Sequence, residues 1–191
     1  MREEPPLFEK AVRQVEDRLT HLFGESCYIG INLVIDAKLT DEITEIESLT
    51  FRDELKYDRW EIIERARRKG FILLTLHVGK RLVAFFFGYD DPDLVGGYYG
   101  DTLASIVEGK GVGSSLFTLV HIYCYDNGYS HFTCHTEKYD EKDRHLREWY
   151  IASGMTYLGT HPEEGDQMRV ELTPRHTTWM YNRFILGEKT T

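Results

Sequence analysis

The chain has 191 residues, 41% of them hydrophobic, which suits one domain with a sizeable core and excludes two small ones. Thirty-two acidic residues against 23 basic ones give a net charge of −9, which argues against general nucleic-acid or anionic-membrane binding and fits a cationic partner. Apolar runs no longer than 71–78, a start (Met1, Arg2, Glu3, Glu4) without a signal-peptide layout, and three cysteines without Cys-x-x-Cys spacing predict a soluble, cytoplasmic protein with reduced thiols and no zinc ribbon.

Phe8, Val12, Val15, Leu19 and Leu22 recur at four- and three-residue spacing, with Pro5 and Pro6 ahead and Gly24 behind, which predicts an amphipathic helix inside residues 1–25. Residues 28–35 read as a strand. Residues 40–51 and 58–69 read as helices with Ile43, Ile46, Leu49, Ile62 and Ile63 inward and acids outward. Two strands, 71–78 and 81–88, are joined by Gly79-Lys80, a two-residue hairpin turn with glycine first. A polar loop through Asp90, Asp91, Pro92 and Asp93 leads to a third strand, 98–107, on which alternation places Asp101, Leu103 and Ser105 on one face. A glycine turn, a helix at 112–126, a strand at 131–136, a helix at 141–153 and strands at 155–159 and 168–172 complete the domain. The tail from Pro174, with Trp179, Met180, Tyr181 and Phe184, is expected to pack as a short helix or to form the face of a homodimer.

The glycine turn carries the most chemistry. Gly109, Gly111 and Gly113 stand at every second position between an apolar strand and an amphipathic helix. Without Cβ atoms, successive amides there can converge on a phosphate at a helix N-terminus, whose dipole favours negative charge. Glycines so spaced can equally serve a tight strand-to-helix connection. A Rossmann fingerprint would need glycine where Ser114 or Leu116 stands, a P-loop would need Gly-Lys-Ser/Thr, and the preceding meander disagrees with a parallel βαβ opening.

The order strand, helix, helix, three-strand meander, helix and strand over residues 27–173 resembles the GNAT N-acetyltransferase superfamily. Two motifs carry the likeness. Glu108-Gly109-Lys110-Gly111-Val112-Gly113 is similar to the family's Gln/Arg-x-x-Gly-x-Gly/Ala turn, which holds the pyrophosphate of acetyl-coenzyme A, except that Glu108 replaces the leading donor. The run 146–155, with Tyr150 followed four residues later by Gly154, resembles the family's helix ending in Tyr, three residues, then Gly; Asp143 stands where the family often has Asn.

The resemblance implies an α/β (α+β) fold: one domain over 1–191, with a mixed sheet of about seven strands flanked by helices, an added N-terminal helix (1–25), a core (27–173) and a C-terminal tail (174–191). It implies that Tyr150 protonates or hydrogen-bonds the departing thiolate, and that Asp101 serves as the base that frees the amine. On the same ground the backbone of Ser105, Ile106 and Val107 is expected to hold the pantetheine arm, Gly109 to Ser114 with Lys110 and Val112 the phosphates, and Arg144 or Arg147 the ribose phosphate. The implied acceptor is a primary amine on a cationic small molecule or a lysine-like group. Acids in two segments (Asp41, Glu42, Glu45, Asp53 and Glu54; Glu163, Glu164 and Asp166) are expected to draw it in. His131 and His135 beside Cys134 match no recognised metal spacing, nor do His121 and His145, so no metal is expected. A module of the same fold that binds acyl-coenzyme A or a protein partner without turnover is the alternative, motivated by Glu108 and by the unsettled base.

Overall fold

The computed structural model describes residues 7–188. Its elements run α1 (Phe8–Phe23), β1 (Cys27–Asn32), α2 (Ala37–Thr50), α3 (Arg59–Ala66), β2 (Ile72–Val78), β3 (Arg81–Asp90), β4 (Gly97–Ser105), α4 (Val112–Asp126), β5 (His131–Thr136), α5 (Leu146–Ala152), β6 (Thr156–His161), β7 (Gly165–Glu171) and α6 (Pro174–Met180). The seven strands form one sheet in the order β1-β2-β3-β4-β5-β7-β6. Every neighbouring pair is antiparallel except β4 and β5.

Local chemistry sets the boundaries. Helix α1 buries Phe8, Ala11, Val15 and Leu19 and stops at Gly24, whose φ of 67° lets its N–H return to the Thr20 carbonyl. The inward stripe runs through Ala11, and Leu22 stays half exposed. Helix α2 starts three residues earlier than its apolar spacing suggests, because the Asp36 carboxylate caps the Leu39 N–H at 2.8 Å. A reciprocal Asp58–Glu61 capping box opens α3. The 141–153 helix shortens to α5 because Asp140 takes the N–H groups of Lys142 and Arg144, folding 139–145 into a turn closed by the Tyr139–His145 bridge.

Two cores sandwich the sheet. Strands β2 and β3 are buried on both faces: Leu74, Leu76 and Phe86 pack under α1 and α4, and Leu73, Phe85 and Phe87 pack under α2 and α3 with Ile43, Ile46 and Ile62. The tail joins the first core through Met180, Tyr181 and Ile185, while residues 186–188 are exposed.

Strand β4 departs from simple alternation. Phe87 pairs with Thr102 and Gly88 with Gly100, so Asp101 is an extra residue with no partner on β3. This bulge puts Leu103 opposite Phe86 in the α1/α4 core and Ala104 opposite Phe85 in the α2/α3 core, which separates Asp101 from Leu103 and Ser105. The expected shared face of those three residues is thereby corrected. Pairing of β4 with β5 covers only Gly97–Gly100 against His131–Cys134, after which the strands part.

Gly100 permits the closest approach at that point. A Cβ there would lie 2.4 Å from Cζ of Phe132, a ring locked between Phe86, Tyr98 and Phe117. Gly100→Ala is expected to destabilise the fold by about 2 kcal/mol, the usual scale of overpacking, measured by urea unfolding; an unchanged midpoint would contradict this packing. A pH effect follows from Glu47 on α2, which is buried and accepts only the Tyr57 N–H (3.2 Å), so that desolvation lifts its carboxyl from the usual 4.5 to about 7. The native state then holds a proton that the unfolded chain has released, and stability falls as pH rises from about 4.5 to about 7. Glu47→Gln should flatten that decline; a decline of the same depth in the variant would show that Glu47 is not its source.

Candidate active site

The parting of β4 and β5 opens a cleft of about 1910 Å³ running from the α2–α3 connection to the glycine turn. A small void of about 20 Å³ lies near the point of divergence, lined by Gly100, Asp101, Leu103, Cys134, His135 and Tyr150 among others.

At one end the turn has the backbone of an anion cradle. Gly109 (φ 69°) and Gly111 (φ 72°) take the left-handed conformation, and Gly111 caps α4. The first helical bond at this end runs from the Ser115 N–H to the Gly111 carbonyl at 3.0 Å, so the N–H groups of Val112, Gly113 and Ser114 have no helical acceptor. A Cβ at Gly109 or Gly113 would meet nothing within 4 Å, so a ligand can approach the backbone closely there. These amides, the 15-residue dipole of α4 and the clear space beside them fit a diphosphate.

The chain just before the turn is less open than expected. The Ile106 N–H goes to the Val83 carbonyl at 3.0 Å and the Val107 N–H to the Ser105 Oγ at 3.1 Å, so neither is a free donor. Because Ile106 faces β3, the alternating peptide directions turn the Ser105 backbone toward the cleft. Of the three residues expected to hold a pantetheine arm, Ser105 is the one left available.

Tyr150 on α5 lines the cleft, its ring held edge-on by Phe117 (5.4 Å between centroids) and Trp149 (4.9 Å). Burial pushes its phenol well up, with Cys134 and Tyr99 adding to the shift and the Thr136 hydroxyl opposing it. The group is a neutral O–H donor across the ordinary pH range.

Asp101 also lines the cleft, but its oxygens are committed. Oδ1 accepts from the hydroxyls of Tyr57 (2.9 Å) and Thr102 (3.1 Å), and Oδ2 from the Tyr89 hydroxyl (2.5 Å) and the Arg65 Nε (3.1 Å). Four donors fill the lone-pair positions of a carboxylate that is 3% exposed and ion-paired. Such a group anchors Tyr57 and Tyr89, and the base role expected of it would require one of these four contacts to yield.

The predicted cations divide. Arg144 lines the cleft but is paired with Asp140 and Glu108. Arg147 is bound to Asp166 and stacked on Tyr157 at 4.4 Å, outside the cleft lining, so the contact expected of it with the ribose phosphate is not supported. Lys110 is exposed at the turn. Glu108 also lines the cleft, half exposed and paired with Lys142 (2.7 Å) and Arg144 (3.4 Å), pairs that hold its carboxyl below the usual range. Of the acids expected to attract an amine, Glu54, Glu163 and Glu164 line the cleft, while Asp41, Asp53 and Asp166 are spent on Arg59, Lys56 and Arg147.

Three participants escaped the sequence reading. Lys142 reaches the turn through the Asp140-centred bend, which no periodicity announces. Arg18 of α1 donates to the Ser115 Oγ (2.5 Å) and the Phe184 carbonyl (3.2 Å), with its terminal nitrogens 3.8 Å from where a Gly111 Cβ would stand. His135 on β5 meets the Tyr99 hydroxyl through Nδ1 at 3.2 Å and Glu164 through Nε2 at 3.4 Å. His135 lies one residue past the last β5 position paired with β4, a placement that no pattern in the sequence announces. The cysteines are free and buried, and no cluster of three or more metal-binding side chains occurs among the described residues.

No protein-family profile matches the chain, and no curated protein sequence does. Solved structures do match. Aminoglycoside 6'-acetyltransferase type Ii aligns at TM-score 0.62 with 19% identity, over 76% of this chain and 99% of its own. The PaiA N-acetyltransferase from Thermoplasma acidophilum in complex with coenzyme A aligns at 0.58 with 12% identity, over 75% and 98%. The ribosomal-protein-S18-alanine N-acetyltransferase from Escherichia coli aligns at 0.59 with 9% identity, over 76% and 94%. A mixed seven-stranded sheet, a β4–β5 cleft and near-complete coverage of these proteins establish that the chain has the GNAT N-acetyltransferase fold.

Proposed function

We propose that the protein is an acetyl-coenzyme A-dependent N-acetyltransferase that passes the acetyl group directly to a primary amine, on a cationic small molecule or a lysine-like acceptor. The observation that carries this reading is the sharing of one cleft by the open amides of residues 112–114 and the partly buried phenol of Tyr150. The amides would hold the diphosphate, and the Ser105 backbone the arm that leads into the wedge. Coenzyme A supplies the activated thioester. Tyr150 would give its proton to the sulfur, a role suited to a neutral phenol in a dry setting. Glu54, Glu163 and Glu164 along the cleft favour a cationic acceptor. Cys134 is unsuited to an acyl-enzyme, since burial pushes its thiol well up. Structural neighbours named as acetyltransferases, one of them in complex with coenzyme A, support the reading.

One observation favours a second reading, a module that binds acyl-coenzyme A without turnover. Glu108 stands where the family carries a donor, and it neutralises Lys142 and Arg144 beside the turn. Calorimetry with acetyl-coenzyme A and a thiol-release assay over an amine panel separate the two. Binding with release supports the transferase, binding without release on any amine supports the module, and absence of binding to any acyl-coenzyme A defeats both. In the transferase, Tyr150→Phe is expected to lower kcat about 100-fold, the scale of general-acid catalysis, with acetyl-coenzyme A affinity unchanged. An unaltered kcat would remove Tyr150 from the chemistry.

A further inference from the structure

Asp101 is saturated, yet an alkylammonium with a pKa near 10.4 must lose a proton before it can attack a thioester. The acceptor-facing side of the cleft holds a set of three groups that is free to take it. Tyr99, the residue before the last β4 position paired with β5, directs its hydroxyl to Nδ1 of His135 at 3.2 Å. The other ring nitrogen of His135 faces the Glu164 carboxylate at 3.4 Å, and Glu164 belongs to the short connection between β6 and β7. All three side chains line the cleft. The His161 ring lies 6.5 Å from that of His135, Arg169 stands on β7 opposite Thr133 on the same sheet face, and Asp101 is held by Arg65.

The connectivity is that of an oxygen donor, a histidine and a carboxylate, in which the Glu164 charge, at ion-pair distance from Nε2, favours the tautomer that carries its proton on that nitrogen. With the proton on Nε2 facing Glu164, Nδ1 is left as the acceptor for the Tyr99 hydroxyl. Burial raises the Tyr99 phenol, so it stays protonated at rest and acts by passing a proton along.

We propose that Tyr99, His135 and Glu164 form a proton relay that deprotonates the attacking amine, with Tyr99 and His135 as catalytic residues and Glu164 as a positioning residue. This rests on the transferase reading of the same cleft. Before attack, a proton of the ammonium passes to the Tyr99 oxygen while the Tyr99 proton passes to His135 Nδ1, and His135 releases it to water, leaving a neutral amine. As the nitrogen then bonds to the acyl carbon and the carbon–sulfur bond breaks, the nitrogen sheds its second proton by the same route and Tyr150 gives its proton to the sulfur. Tyr150 regains one from water, which restores all three groups. The net products are the amide, the free thiol and one proton for each ammonium consumed.

Two measurements test the relay, and the first needs no turnover. In the ¹⁵N spectrum of the free protein at neutral pH, His135 should appear as the Nε2–H tautomer, and Glu164→Gln, a change on an exposed loop, should mix the tautomers. A wild-type Nδ1–H signal would overturn the proposal. In the thiol-release assay, Tyr99→Phe and His135→Gln should each lower kcat at least 100-fold with acetyl-coenzyme A affinity unchanged, the double variant should fall no further than the worse single one, and the low-pH limb of kcat/KM should vanish in His135→Gln. Retention of that limb, or losses that multiply, would overturn the relay while leaving the transferase reading intact. Failure of the wild type to release thiol with any amine would instead defeat the transferase reading itself.

Discussion

The site depends on the separation of two parallel strands. β4 and β5 are the one parallel pair in an otherwise antiparallel sheet, and they share four register positions before parting at Gly100 and Cys134. Two features mark that point, the last close contact and the irregularity that follows it. The bare Cα of Gly100 lets β4 lie against the Phe132 ring, and the bulge at Asp101 immediately afterwards adds a residue that β3 does not match. Beyond that point the cleft-facing edge of β4 has no strand partner, and its peptide groups must find another, which is what an extended ligand arm can supply.

The bulge also decides which residue has which task. It turns Asp101 into the α2/α3 side, where Arg65 and three hydroxyls saturate it. Asp101 then fixes the phenols of Tyr57 and Tyr89, with Arg65 and Arg68 stacked over the two rings at 3.6 and 4.4 Å. This polar network forms one wall of the cleft. The opposite wall comes from β5 and the β6–β7 connection, which bring His135 and Glu164 to Tyr99. The glycine turn lies at the far end, where α4 begins and where Arg18 of the added N-terminal helix braces Ser115.

Much of this was legible in the sequence. The helix at 112–126 and the strand at 131–136 carry clear apolar patterns and clear stops, and the structure forms both with those ends. The tight bend before α4 was legible because glycine at 109 and 111 has a conformational reason, positive φ, which both residues adopt. Features set by tertiary contact were not legible. A bulge has no composition of its own, so counting by twos from Asp101 put Leu103 and Ser105 on its face, which the extra residue undid. Arg147 looked as free as Arg144 in the sequence, and only the fold brings Asp166 to it. His135 looked like one more strand histidine until β4 and the β6–β7 loop supplied Tyr99 and Glu164.

The most direct test of the central claim follows the backbone amides themselves while acetyl-coenzyme A is added to the ¹⁵N-labelled protein. Saturable binding is expected, with the largest shifts at Gly109, Gly111, Val112, Gly113 and Ser114 and smaller ones on β4 from Leu103 to Ser105. Saturation with those amides unmoved and the shifts gathered on another surface would contradict that claim.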